Sequence, residues 1–190
     1  MSALLDVRGL TRRPWFEGKD LADAPGEIVV PSGPTGSRKT LFLRTIADLD
    51  PSEGGEAFVD GEARASMPAW RWRGRVLYVH PGGVRLPGTV ADNLAAVARG
   101  RPPPDPPFDP AVDAARLSTG EGQVLALERA LLCGPRVLLL DEATSGMDPR
   151  TAARFEERLK GWVREGRAIV WVSHDPDLAG RVGARAEAFP

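Results

Sequence analysis

Two segments of the sequence, Val-Leu-Leu-Leu at 137–140 and Ile-Val-Trp-Val at 169–172, are apolar at every position. A strand with one wet face alternates apolar and polar residues, whereas a strand apolar throughout must be covered on both faces. The chain therefore needs helices above and below a sheet, and helical periodicity is present in three places. Residues 39–47 put Leu43, Ile46 and Ala47 on one side, and 120–132 do the same with Leu127, Ala130 and Leu131. In 150–164 the apolar set Ala152, Phe155, Leu159, Trp162 and Val163 recurs by threes and fours. Asp148-Pro149 precedes it, an N-cap followed by proline at the first helical position. Further short apolar runs at 4–7, 27–30, 57–60 and 76–79 are bounded by turn residues and read as strands. Strands alternating with helices predict an α/β fold with a mostly parallel sheet.

The length of 190 residues fits one domain. Six prolines fall between 102 and 110, a stretch that no helix can cross. It reads as an extended connector between 1–101 and 111–190. The 25 basic and 26 acidic residues leave a net charge of -1, which offers no electrostatic case for nucleic acid. Trp70-Arg71-Trp72-Arg73 reads as an amphipathic approach to the strand at 76, not as a base-stacking surface. A lone cysteine, Cys133, excludes an internal disulfide. No apolar run reaches the roughly 18–20 residues of a membrane span, and 1–13 lacks the pattern of a secretory signal. The expectation is a soluble intracellular protein.

Chemistry concentrates at the ends of the apolar runs. Residues 28–40 read Ile-Val-Val-Pro-Ser-Gly33-Pro34-Thr35-Gly36-Ser37-Arg38-Lys39-Thr40. This is a strand, a glycine-bearing loop, and Lys-Thr opening a helix. Such a loop aims backbone N–H groups at one point, and the helix N-terminus adds positive potential for phosphates. Lysine reaches the outer phosphates and the Thr40 hydroxyl can ligate Mg²⁺. Only three lysines occur in the chain, and Lys39 stands in this slot. The run at 137–140 delivers Asp141 and Glu142 to its C-terminal end, where ligands bind in open α/β sheets. Three further segments stand nearby: Leu117-Ser118-Thr119-Gly120-Glu121-Gly122-Gln123, Ser145-Gly146-Met147-Asp148, and Val172-Ser173-His174-Asp175.

Together and in this order these segments resemble the ATP-binding cassette (ABC) ATPases. Gly33–Thr40 looks like the Walker A loop, 117–123 like the signature, and 137–142 like Walker B. Residues 145–148 are similar to the D-loop and 172–175 to the switch-histidine segment. The compact block from Gly33 to Gly55 most resembles small bacterial transporter cassettes of the metal-export type. The resemblance implies a P-loop fold with a small antiparallel N-terminal β part and a helical subdomain, here shortened and proline-rich at about 95–117. It implies a single nucleotide-binding domain over 1–190 that binds ATP and Mg²⁺ and hydrolyses ATP. Gly33, Pro34, Thr35, Gly36, Ser37, Arg38, Lys39 and Thr40 would hold the phosphates, Thr40 and Asp141 the metal. Glu142 and His174 would be catalytic. Ser118 and Gly120 would meet the γ-phosphate of a second, head-to-tail cassette, most simply an identical copy. An aromatic residue ahead of the loop stacks on adenine in this family, with Trp15 and Phe16 as candidates. A transmembrane subunit would hold the chain at the inner face of the cell membrane, and no nucleic acid is expected.

The sequence departs from the family at defined points. Arg38 replaces a glycine of the phosphate loop, and Pro31 lies in the strand before it. The glutamine that usually follows the strand at 76 aligns with Pro81, next to His80. Thr119 replaces a signature glycine and Val124 a basic residue. These departures bear on nucleotide affinity and on coupling to a membrane partner. A weakly or non-hydrolysing cassette with a regulatory or structural role is the alternative they keep open.

Overall fold

A computed structural model describes residues 3–33, 36, 38–98 and 108–189. Pro34, Thr35, Ser37 and most of the proline-rich stretch lie outside the described residues. Along the chain run β1 (Leu5–Arg12), β2 (Phe16–Asp23), β3 (Ile28–Ser32), α1 (Lys39–Ile46), β4 (Gly54–Val59), β5 (Glu62–Ala63), α2 (Ala69–Arg75) and β6 (Val76–Val79). Then follow α3 (Val90–Ala95), α4 (Thr119–Cys133), β7 (Val137–Asp141), α5 (Pro149–Val163), β8 (Ala168–Val172), α6 (Leu178–Val182) and β9 (Arg185–Ala188).

The expected apolar strands are the centre of the molecule. All five residues of β7 and all five of β8 are buried. They pair in parallel within a five-stranded sheet of order β6-β7-β8-β3-β9, every pair parallel. One face packs α1 and a second, antiparallel sheet of order β2-β1-β4-β5 around Leu5, Phe42, Leu43, Ile46 and Trp72. The other face is covered from α4, α5 and α6 through Leu127, Phe155, Leu159, Trp162 and Leu178. Local chemistry starts α5 and stops α4. The Asp148 carboxylate accepts from the N–H groups of Arg150 and Thr151 at 3.0 and 3.1 Å, with Pro149 at the first helical position. α4 ends at Gly134 in the left-handed conformation, φ 63°, which glycine reaches without a Cβ clash.

The structure extends the sequence reading in several places. β2 and β9 are edge strands whose residues are mostly charged or half-exposed, so their apolar signal is weak. The segment at 69–75 is a helix. Trp72 is wholly buried and its indole N–H donates to the Ile46 carbonyl at 2.8 Å, while Trp70 is 75% exposed. One tryptophan is thus a core residue, and the pair forms no stacking platform. Pro31 sits where β3 has already left β8. The β3–β8 register holds only Ile28 with Ile169 and Val29 with Val170, whereas β3 follows β9 from Val29 to Ser32. The donor that Pro31 lacks is therefore not demanded by β8.

At the end of β2, Asp23 is fully buried. Burial, reinforced by neighbouring Glu27, pushes its carboxyl up to about 9. An unfolded aspartate ionises near ~3.9. Between those values the folded chain holds a proton that the unfolded chain releases, so stability falls as pH rises across the window. Asp23→Asn, which stays neutral, is expected to melt higher than wild type at pH 8 and no higher at pH 4. Thermal unfolding followed by circular dichroism at both pH values checks this; an Asn variant without the pH 8 gain would contradict it.

Candidate functional site

The C-terminal ends of β3, β7 and β8 open onto a cleft of about 640 Å³. Its lining includes Trp15, Gly36, Arg38, Lys39, Thr40, Asp141, Glu142 and His174, residues that come from four separate stretches of chain. Its size suits a nucleotide-sized ligand. Four cations face it, Arg12, Arg38, Lys39 and Arg44, against the two acids. Asp50 ties Arg44 at 2.6 Å and Arg12 at 3.3 Å, and the Arg44 hydrogen bond holds the Asp50 carboxyl below the usual carboxylate range.

Asp141 is the floor of the cleft, only 1% exposed. A carboxylate so deeply placed needs hydrogen-bond donors. The Thr40 hydroxyl donates to one oxygen at 3.2 Å and the Tyr78 phenol to the other at 2.8 Å. Burial and the neighbouring Asp141 push the Tyr78 phenol above its ordinary range, so it remains a donor. Tyr78 escaped the sequence reading. It lies on β6, which pairs with β7, and only that pairing aims it at Asp141. The Thr40 hydroxyl beside the Asp141 carboxylate is a hard-oxygen pair of the kind Mg²⁺ takes. Among the described residues no group of three or more His, Cys, Asp or Glu could hold a metal ion.

Glu142 follows with φ 48°, left-handed backbone that costs a side-chain-bearing residue of order 1–2 kcal/mol. Its N–H still donates to Val172 at 2.9 Å. Its carbonyl accepts from Ser145 N–H at 3.2 Å, Ser145 Oγ at 2.9 Å and Gln123 Nε2 at 3.2 Å. Burial raises the Glu142 carboxyl above its ordinary value, and His174 works against that rise. His174 Nε2 lies 3.8 Å from Glu142 Oε1, on the exposed rim.

At the phosphate loop, Lys39 is 6% exposed and its ammonium donates to the Gly33 carbonyl at 2.7 Å. Arg38 caps α1 from the left-handed region, φ 66°. The backbone there has the conformation that glycine adopts freely, which gives the departure from the family pattern a physical meaning. The Arg38 guanidinium lies 4.8 Å from the Trp15 ring centre, a cation–π contact. The two aromatic candidates separate cleanly. Trp15 is 45% exposed and lines the cleft, whereas Phe16 is buried edge-on against Phe42 at 5.5 Å. His80 turns to its own loop, accepting from Gly82 N–H at 3.0 Å.

Ser118 and Gly120 do not join this cleft. They line a separate concavity with Gly146, Met147 and Asp148. Ser118 caps α4 in a reciprocal box: its hydroxyl donates to Glu121 at 2.7 Å and accepts from the Glu121 N–H at 3.3 Å. Within one chain, the Lys39 cleft and the Ser118–Gly120 concavity are therefore separate.

Residues 17–145 match the family model described as ABC transporter. The chain is 33% identical to the aliphatic sulfonates import ATP-binding protein SsuB 1 of Pseudomonas fluorescens, covering all of this chain and 78% of that protein. It is 35% identical to the ABC transporter ATP-binding protein RamB of Streptomyces coelicolor, across 87% of this chain but only 30% of that protein. Among solved structures, a dimeric ATP-binding cassette in a post-hydrolysis state with ADP and phosphate superposes with a TM-score of 0.79 at 21% identity, covering 93% of this chain and 90% of that one.

Tyr78→Phe removes one of the two hydroxyl donors to the buried Asp141 carboxylate. It is expected to destabilise the chain by about 1–3 kcal/mol in urea unfolding; a loss indistinguishable from zero would show that the phenol bond is dispensable.

Proposed function

The chain belongs to the ABC transporter family of ATP-binding proteins, and from that premise we propose how its residues bind and hydrolyse ATP. The observation that carries the reading is convergence. Thr40, Asp141, Glu142 and His174, far apart in sequence, meet Lys39 in one cleft at the strand ends. In this reading 1–190 is one nucleotide-binding domain, with 95–117 its shortened helical region.

The triphosphate lies along the loop from Gly33 to Thr40 and over the start of α1. Loop N–H groups and the helix terminus receive its charge, and Lys39 moves from the Gly33 carbonyl to the outer phosphates. The adenine takes the Trp15 side of the cleft, where Arg38 already stacks. Thr40 and Asp141 would hold Mg²⁺, which supplies charge neutralisation on the phosphates when bound. Tyr78 keeps Asp141 oriented for that task. Glu142 accepts a proton from, and orients, the attacking water, and His174 contacts the γ-phosphate beside it. Chemistry of this kind is positioning and charge stabilisation rather than covalent catalysis.

The site is half-built in one chain, since Ser118 and Gly120 face away from it. Two copies arranged head to tail would bring the α4 N-terminus of each against the triphosphate of the other. The solved cassette with the same fold is itself dimeric. Among the described residues no helix is long and apolar enough to cross a membrane. We infer that the cassette works with a transmembrane subunit at the inner membrane face; the relative from Pseudomonas fluorescens is named as an import ATP-binding protein.

The test is Mg²⁺-dependent ATP hydrolysis by the purified chain against Glu142→Gln. Wild type is expected to turn over; Glu142→Gln is expected to lose about 100-fold or more and to accumulate a nucleotide-bound dimer in size-exclusion chromatography. Protonated Glu142 cannot accept a proton, and its carboxyl is raised. Wild-type turnover should therefore fall as pH drops through a value above the ordinary carboxylate range, a limb absent from any residual Glu142→Gln activity. An active Glu142→Gln enzyme with an unchanged pH profile would remove Glu142 from the mechanism. Lys39→Ala should weaken Mg-ATP binding at least about tenfold in a fluorescence titration; unchanged affinity would displace the triphosphate from this loop.

A further inference from the structure

Of the cations that face the cleft, Arg12, Lys39 and Arg44 are held by oxygen atoms. Arg12 and Arg44 are paired with Asp50 at 3.3 and 2.6 Å, and the Lys39 ammonium donates to the Gly33 carbonyl at 2.7 Å. Arg38 differs. Among the described residues it makes no ion pair, and its partner is the Trp15 ring, 4.8 Å from the guanidinium. The side chain is exposed, so water competes for it throughout.

Arg38 stands at the N-cap of α1, directly before Lys39 and Thr40. One side chain can therefore serve either the aromatic wall or the phosphate bed beside Lys39. The two places differ in strength. A cation on an exposed ring is held weakly. A guanidinium on phosphate makes charge-assisted, often bidentate hydrogen bonds, each roughly twice as strong as a neutral one. A triphosphate entering the cleft therefore outcompetes the ring.

The ring itself is left changed by that exchange. Trp15 is 45% exposed, and Arg38 approaches it from the cleft, since both residues line that cavity. While the guanidinium rests there, it covers surface on which an aromatic base would stack. Base and guanidinium cannot share one face of a ring. Phosphate that draws Arg38 away also bares the ring.

We propose that Arg38 is a specificity-determining residue of the cleft: its guanidinium is held on Trp15 until a triphosphate draws it to the phosphates, and the vacated ring face then receives the base. This rests on the nucleotide-binding reading above. Recognition is thereby ordered, with polyphosphate read before base. A nucleoside carries the same base but no charge to move Arg38, so it meets a covered ring. A small uncharged residue at 38 would leave the ring open to any flat aromatic compound.

The experiment is acrylamide quenching of tryptophan fluorescence in the full chain carrying Trp70→Phe. Trp72, Trp162 and Trp171 are buried, so Trp15 is then the exposed tryptophan. Quenching is measured without ligand, with Mg-tripolyphosphate, which has no base, and with Mg-ATP. Each is repeated with Arg38→Gly and with Arg38→Asn, residues that take left-handed backbone readily. With Arg38 intact, tripolyphosphate should raise the Trp15 quenching constant by up to about twofold as one ring face is bared. Mg-ATP should bring it back down, because the base covers that face. In both variants quenching should be high from the start and unmoved by tripolyphosphate. Their affinity for tripolyphosphate, read by calorimetry, should fall at least about tenfold. Tripolyphosphate that binds without altering Trp15 quenching, a rise that persists in both variants, or variants that bind it as tightly as the parent would overturn the exchange. A parent that binds neither tripolyphosphate nor ATP would instead remove the nucleotide reading, and the exchange with it.

Discussion

The functional end of this molecule depends on seating a carboxyl group at the floor of a dry sheet. β7 is apolar for four residues and then presents Asp141, 1% exposed. Removing so polar a group from water is costly unless donors replace the water. Thr40 and Tyr78 are those donors, one from α1 and one from β6. Their placement locks the phosphate loop, the β6 strand and β7 into one register. The cleft is thus not carved into a finished fold. The requirement to solvate Asp141 with protein hydroxyls helps to define how the elements meet.

The frame and the residues lining the cleft were legible in the sequence for the same reason. Strands buried on both faces carry an unbroken apolar signal, so β7 and β8 stand out, and the acids and histidine sit at their ends. α1, α4 and α5 are long enough to show a periodic face. Edge strands β2 and β9 carry charge on residues such as Lys19, Arg185 and Glu187, and α3 and α6 span fewer than two turns; neither leaves a pattern to read. The cleft residues that went unread, Tyr78 and Arg44, make contacts with residues that the sequence does not place beside them. Nothing local to Tyr-Val-His-Pro says that the tyrosine points at residue 141.

The departures from the family pattern take on physical content once placed. Arg38 adopts the left-handed backbone of the glycine it replaces and directs its charge onto Trp15. The loop therefore carries a strained residue whose side chain is drawn toward the aromatic wall. Pro81 offers no side-chain donor or metal ligand, yet its carbonyl is the strongest anchor of Gln123 at 2.6 Å. The position has exchanged a side-chain role for a backbone one. Lys39, Thr40, Asp141, Glu142 and His174 share one cleft around these changes.

Pro31 has a wider consequence. β3 stays zipped to β8 only through Ile28 and Val29, while β8 runs on beside β7 to Val172. The sheet is consequently unlaced along one seam at its C-terminal edge, directly below the loop that leaves β3. A seam without ladder bonds can widen or narrow without breaking any, a freedom that the fully paired β7–β8 seam lacks. The proline that looks like a flaw in a central strand keeps that seam from closing.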